Sequence, residues 1–475
     1  MAKKGQDWGK MFENDAKAFT DDTYVRLYNE YVEKYGEKHP ETLKIMDHIA
    51  GLYGESGNLQ KQLEIHKKVY ELRKEVLGEK HSQTLITLRN IVGAYYFLDD
   101  TQNTFKYLKQ LYETDQEAFG EMDPNTLQDM EALAELYYKK DDYEKALELF
   151  RKLYALKSET PDKEHPDTIK ILYYIAYCYN ETGDYEKSAN TYFEAYVSDR
   201  KVYGEDSEEK TEKDLEAIDT VLENLEDNGK ALEIYNKIYE LQKDSLGLCH
   251  PRTVETINKI AGIYEGMGEY NGPIALVEEL YEAQKDKLGD DNADTLDTMN
   301  HIAFLYGESG DVETAIGILQ NAFTIHVETF GLDGDALSIL HEIGFYFGST
   351  DIEKALEVEQ KVYDSRKEIL GEKDPDTLLS LNDIAYYYNE LGDCNKSYDL
   401  NMQVYNGRCE ILGEKDPETV KNLYRAAVCL EELGEYKRAL ELLEKAYKVQ
   451  RQIFDEDDPR LIETAEHIEA CRNGL

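Results

Sequence analysis

The stretch Leu370-Gly371-Glu372-Lys373-Asp374-Pro375-Asp376-Thr377-Leu378 decides the fold, because the chain returns to it at a fixed interval. Its skeleton is a turn of the form Gly-x-x-His/Asp-Pro-x-Thr. The threonine of the turn stands at Thr42, Thr84, Thr126, Thr168, Thr211, Thr253, Thr295, Thr377 and Thr419. Up to Thr295 the gaps are 42, 42, 42, 43, 42 and 42 residues. The next gap, 82, divides into 41 and 41 once Ala336 is read in place of the threonine, and Asp458-Pro459-Arg460-Leu461 is one more copy, 42 residues past Thr419. A second column keeps the same register: Tyr28, Tyr70, Tyr112, Tyr154, Tyr196, Tyr239, Tyr281, Phe323, Tyr363, Tyr405 and Tyr447. Two residue types sharing one period identify a repeat array. The length agrees, since 475 residues exceed the roughly 250–300 that one hydrophobic core organises.

Each repeat carries two helical patterns. After the turn, Leu43, Met46, Ile49, Ala50 and Tyr53 fall on one helical stripe; after a Gly-Asn or Gly-Asp break, Leu63, Ile65, Val69, Tyr70 and Leu72 begin another. Gly78, Gly120, Gly204, Gly247, Gly289, Gly331, Gly371 and Gly413 close the second helices, where a left-handed αL residue is expected. His39, Asp123, His165, Asp374 and Asp416 stand before Pro as N-caps, with Pro at the first helical position. Small residues recur where paired helices cross, at Ala50, Ala134, Ala176, Ala261, Ala303, Gly344, Ala385 and Ala427 in first helices and at Ala146, Ser188, Ala231, Ala315, Ala355, Ser397 and Ala439 in second helices.

At this point the pattern Leu-x-x-Leu-x-x-Ile-Ala-x-x-Tyr followed by Gly-Asp-Tyr-x-x-Ala resembles the tetratricopeptide repeat. The 42-residue period and the Leu370–Leu378 turn are similar to the kinesin-light-chain-like branch. The resemblance covers about residues 22–470. It implies an all-α fold, a right-handed superhelical α-solenoid of antiparallel helix pairs, whose first helices line a concave groove for peptides or partner domains. About ten pairs are expected, from Thr42 to Phe454, with a lone helix at Asp22–Tyr35 before them and another at Arg460–Cys471 after. The domain reading is a degenerate N-terminal cap over 1–21, which holds the single tryptophan Trp8, the solenoid over 22–455, and a C-terminal capping helix over 456–475. The fifth repeat is degraded, with Asp219 for the small residue, Leu222 for the tyrosine and Glu208-Glu209-Lys210 for the proline turn, so a joint is expected near 204–230. In the sixth, Gly272-Pro273 predicts a second helix that starts late. The chain contains no long heptad coiled coil of the kind that joins a kinesin light chain to its motor. The Lys/Asn/Lys/Arg carboxylate clamp of some family members is replaced in the fourth repeat by Lys170, Tyr173, Tyr174 and Tyr177.

Composition narrows the function. Acidic residues number 99 against 54 basic, for a net charge of -45. A nucleic-acid binder or a protein docked on an anionic membrane needs the opposite sign. The six cysteines include no C-x-x-C pair, and Cys178 and Cys429 share one repeat position and read as buried thiols. No signal-like or membrane-spanning apolar run is present, so a reducing, cytoplasmic setting is expected.

First-helix positions offset from the packed stripe are Asp47, Arg89, Glu131, Tyr173, Asn258, Asn300, His341, Asn382 and Tyr424, and four residues on come Gly51, Gly93, Glu135, Tyr177, Gly262, Phe304, Phe345, Tyr386 and Val428. From these, Tyr173, Tyr177, Phe304, Phe345, Tyr386 and Tyr424 are the expected ring contacts of a peptide groove. Asn258, Asn300 and Asn382 are the expected hydrogen-bonding partners of its backbone.

Catalytic motifs are wanting. His341-Glu342 has no second histidine four residues past the first, and no phosphate loop or nucleophile elbow occurs. The turn histidines His39, His81, His165 and His250 read as caps rather than metal ligands. The sequence therefore reads as a non-catalytic interaction scaffold or adaptor without cofactor or metal, binding a protein or peptide, with partners of basic character among the candidates. Its oligomeric state is left open. The alternatives are a peptide-responsive sensor hinged at 204–230 and a kinesin-light-chain-like cargo adaptor.

Overall fold

The computed structural model describes residues 23–204 and 208–475, so the expected cap over 1–21 lies outside the described residues. Among those described, every regular element is helical. The chain divides into two compact units, one ending at Ile234 and one starting at Tyr235.

In the first unit, α1 (Thr23–Tyr35) precedes four helix pairs: α2 (Pro40–Glu55) and α3 (Leu59–Leu77), α4 (Ser82–Phe97) and α5 (Thr101–Phe119), α6 (Pro124–Tyr138) and α7 (Tyr143–Ser158), α8 (Pro166–Glu181) and α9 (Tyr185–Tyr203). A fifth pair is α10 (Glu208–Glu223) and α11 (Asn228–Leu246), and α11 continues into the second unit. There follow α12 (Pro251–Gly266) and α13 (Asn271–Leu288), α14 (Ala293–Glu308) and α15 (Val312–Phe330), and α16 (Gly334–Thr350) and α17 (Ile352–Ile369). The last elements are α18 (Pro375–Glu390) and α19 (Cys394–Ile411), α20 (Pro417–Glu432) and α21 (Tyr436–Gln450), and the lone α22 (Pro459–Gly474). The ten pairs and two single helices agree with the period of the sequence. Consecutive helices pack on one another from α1 to α10 and from α12 to α22.

The turn chemistry explains where first helices begin. His39, His81, His165 and His250 accept, through Nδ1, the backbone N–H two residues on, at 3.4, 3.2, 3.2 and 3.3 Å. Asp123, Asp374 and Asp458 do the same through a carboxylate oxygen, each at 2.9 Å. Each satisfies one of the donors that a helix start leaves unpaired. The glycine that ends a second helix departs from expectation. Gly78 and Gly120 have φ of 93° and 90° with ψ of 160° and 173°, which is not αL but a region essentially confined to glycine. Pro273 also departs. Helix α13 begins at Asn271, so the proline sits at its third residue. It is tolerated there because the first four N–H groups of a helix have no intrahelical partner.

The recurrent small residues sit at the crossings. Ala50, Ala134, Ala176, Ala261, Ala303, Ala385 and Ala427 are fully buried. Ser188 Oγ donates to Ala176 O at 2.7 Å and Ser397 Oγ to Ala385 O at 2.8 Å, which puts the two columns in contact. A larger side chain there would overpack the crossing. Most of the tyrosine column is buried, among them Tyr28, Tyr70, Tyr196, Tyr239 and Tyr405, as are the Cys178 and Cys429 thiols. The degraded fifth repeat still forms α10, which buries Ile218, Val221 and Leu222.

Candidate functional site

The first-helix columns divide into an inner position that the fold mostly uses and an outer one that it leaves partly or fully exposed. The inner position is Asp47, Arg89, Glu131, Tyr173 and their equivalents. Three residues past every member of the second-helix column from Tyr70 on stands a polar residue: Arg73, Asp115, Lys157, Asp199, Gln242, Gln284, His326, Arg366, Arg408 and Gln450. Most are buried. Apart from His326, which meets the N-cap Asp333 at 2.9 Å, and Gln450, they bond to the first helix before them, to the first helix after them, or to both.

In the first unit, Arg73 reaches Asp47 at 2.5 Å and Thr87 Oγ1 at 2.6 Å. Arg89 bridges Asp115 at 2.6 Å and Asp129 at 2.9 Å, and Lys157 meets Glu131 at 3.1 Å. Burial pushes the Asp129 carboxyl well above the usual carboxylate range, against the pull of Arg89. In the second unit, Thr256 donates to Gln242 at 2.8 Å and Thr298 to Gln284 at 2.6 Å. Arg366 donates to Ser380 Oγ at 2.9 Å and Arg408 to Asn422 Oδ1 at 2.8 Å. Within each unit this polar seam ties neighbouring repeats together. A search for apolar periodicity passes over it, although its register is readable three residues past that column from Tyr70 on.

The seam changes the meaning of several expected groove residues. The half-buried Tyr173 hydroxyl lies between the carboxylates of Asp199 and Asp214. Asp199 also takes Lys210 Nζ at 2.6 Å, so Tyr173 is a rung of the seam. Asn382 accepts from Asn422 at 2.9 Å and from Arg425 at 3.2 Å. Tyr424 is half-buried and stacks edge-on with His467, ring centroids 5.6 Å apart. Asn300 is half-buried, and its Oδ1 has no hydrogen-bond partner among the described residues. Asn258 is exposed and lines a cleft of about 520 Å³ with Cys249, Gln284 and His301.

The outer position behaves otherwise. Phe304, Phe345 and Tyr386 are 40, 64 and 47% exposed, on the successive first helices α14, α16 and α18. These helices touch directly. Tyr387 of α18 donates to Gly344 O of α16 at 3.2 Å, and its ring lies 3.0 Å from where a Cβ on Gly348 would stand. Tyr346 of α16 likewise lies over Gly307 of α14. Three rings in one column of three touching helices thus share one face. Tyr177, in the other unit, is also exposed, but it packs edge-on with Tyr138 at 5.3 Å and belongs to a local cluster. The structure therefore brings together Phe304, Phe345 and Tyr386, and leaves Tyr173 in a separate unit as a half-buried link.

Among the described residues no helix is long and apolar enough to cross a membrane. Family models described as tetratricopeptide repeat match residues 83–159, 128–201 and 376–452, and, for a second such model, 42–83 and 295–334. No curated protein matches the chain. Solved structures similar to it include two of a Podosopora anserina putative kinesin light chain with nearly identical TPR-like repeats. One, a form with a single substitution, is 22% identical over 43% of this chain and 97% of that one, TM-score 0.39. The other is 21% identical over 44% and 100%, TM-score 0.39. BtubC (BKLC) from P. vanneervenii is 18% identical over 60% and 92%, TM-score 0.24. With the repeat models placed on the helix pairs described above, this chain belongs to the tetratricopeptide-repeat family.

Proposed function

We propose that the chain is a non-catalytic scaffold that binds an extended peptide or partner segment along the first helices of its second unit. The observation that carries this reading is the exposed column Phe304, Phe345 and Tyr386. Phe304 meets Tyr270 edge-on, ring centroids 6.4 Å apart, but packing still leaves all three large rings exposed on one face, and aromatic side chains are what binding hot spots use. Acidic first-helix neighbours, Glu342 beside Phe345 and Asp383 beside Tyr386, together with the net charge of -45, favour a partner that joins apolar and basic residues.

The test is a peptide library displayed on phage, selected on the full chain and counter-selected on the Phe304/Phe345/Tyr386→Ala variant. The expected result is enrichment of apolar-basic sequences that bind the wild type, weaken with added salt, and lose at least tenfold in affinity on the variant. Sequences that bind both proteins equally, with the variant's helix content and melting unchanged, would refute the reading. Tyr173 is left out of the variant because its loss disturbs the seam.

A further inference from the structure

The second-helix position four residues before the tyrosine column is apolar or aromatic in most repeats, as at Leu108, Phe150, Tyr192, Val277, Leu319 and Leu443. In α17 it is Glu359, which has no exposed surface. The facing small residue of the first helix is Ala303 in the repeat before and Ala385 in the repeat after, but Gly344 in this one. A Cβ on Gly344 would stand 3.0 Å from Glu359 Oε2. The glycine thus makes room for a carboxylate at a position that elsewhere is mostly apolar or aromatic, though it also holds the buried His66, bonded to Asp47 at 3.2 Å, and the buried Asn401. A buried charge of this kind needs a compensating partner.

Glu359 is met by His341 Nδ1, 3.0 and 2.9 Å from its two oxygens. That bond holds the proton of a neutral imidazole on Nδ1 and leaves Nε2 as a lone-pair donor. Nε2 faces Asp383 Oδ2, on α18, at 3.8 Å. The other oxygen, Asp383 Oδ1, accepts from Asn382 Nδ2 at 3.1 Å. In the neutral imidazole, two acceptors face each other across a gap longer than a hydrogen bond, since such bonds run at about 2.7–3.2 Å. The gap suits a metal ion bonded to nitrogen at about 2.0–2.1 Å and to oxygen at about 2.0–2.2 Å. Of the guanidinium groups whose charge reaches the cluster, Arg366 is committed to Ser380 Oγ and to Asp376 O, and Arg425 donates to Asn382 Oδ1 at 3.2 Å. The donor atoms of His341, Glu359 and Asp383 all lie within 4.8 Å of one another.

We infer that His341 Nε2 and Asp383 Oδ2 ligate a divalent transition-metal ion of the zinc type, with Glu359 orienting the imidazole through Nδ1–H. Two carboxylates match the ion's charge, and imidazole selects zinc, cobalt, nickel or copper over calcium or magnesium. A buried carboxylate behind a ligating histidine is the arrangement that fixes its tautomer in metal sites. His341 and Asp383 are partly exposed, so the ion has an entry path and water completes its coordination. The site ties α16 to α18, two neighbouring repeats. His341 lacks the second histidine of a one-helix zinc motif, and these groups converge instead from three successive helices. This inference does not rest on the peptide-binding reading.

The experiment uses the untagged full chain, stripped with chelator and titrated with zinc chloride at about pH 7.5 by calorimetry, and with cobalt(II) by visible absorption. One saturable equivalent is expected, with a rise in melting temperature. It should vanish in His341→Gln and Asp383→Asn and weaken roughly 10–100-fold in Glu359→Gln. Asp383 is partly exposed, so Asp383→Asn decides the matter even where a His341 variant folds poorly. A zinc isotherm that is the same in wild type and Asp383→Asn, or no saturable binding, would overturn the inference.

Discussion

Replacing Tyr173 by Phe separates a structural hydroxyl from a ligand contact. The ring keeps its place against Tyr192, centroids 6.2 Å apart, and only the O–H is lost. That group has one proton for two buried carboxylates. Asp199 keeps a second partner in Lys210 at 2.6 Å, so the loss falls mainly on Asp214. Burial pushes the Asp214 carboxyl up to about 6, while its Tyr173 hydrogen bond pulls down and the Asp199 charge pushes up. A hydrogen bond to a charged group contributes about 1.5–3 kcal/mol, and a buried acceptor left unmatched costs a similar amount. Local opening of α8–α10 should therefore become easier by about 2–3 kcal/mol. At about 1.4 kcal/mol per tenfold, that is roughly 30–150-fold faster amide exchange in peptides covering 166–203. The pH dependence has a definite sign. A carboxyl whose folded pKa is raised contributes stability that is fully present below its unfolded value, near 3.9, and lost as pH rises through the folded one. Without the Tyr173 hydrogen bond the Asp214 pKa climbs further, so the window of loss extends above about 6 and the deficit of the variant grows between about pH 5.5 and pH 7.5. Exchange measured by mass spectrometry at both pH values, corrected for intrinsic rates, checks this. A change below about threefold at the higher pH, or equal deficits at the two, would refute the reasoning.

Arg73→Met should free local opening of α3 and α4 by about 2–4 kcal/mol, since Asp47 and Thr87 lose a buried charged donor; exchange in peptides over 59–97 reads it. The same experiment should leave the second unit unchanged, because repeats interact only with their neighbours. Gly120→Ala isolates backbone strain, because the added Cβ meets nothing within 4 Å while φ stays at 90° with ψ at 173°. It should cost about 1–3 kcal/mol, seen as faster exchange at the α5–α6 turn, and an unchanged rate would mean that the turn adopts another conformation at no cost.

The period, the helix pairs, the caps and the buried tyrosines follow from the sequence because each is a local rule. A proline at the first helical position, a capping histidine or aspartate and a 3.6-residue stripe act within a few residues, and the array repeats them about every 42. The same logic fails at Gly78 and Gly120, where closure by glycine is predictable but ψ is not, since ψ depends on how the next helix is docked. It also misjudges Pro273, whose tolerance depends on where the helix starts. The exposed rings are legible as a column, yet as aromatic first-helix residues off the apolar stripe Tyr173 and Tyr386 read alike.

What separates them is contact across repeats. Asp199 and Asp214 meet Tyr173 from 26 and 41 residues away, and Asp383 faces His341 from the next repeat. The sequence by itself determined which faces of each helix are apolar and how often the unit recurs. Only the tertiary structure decided which polar side chains are consumed in holding neighbouring repeats together and which remain for a ligand, because that depends on distances between helices that no period in the sequence encodes.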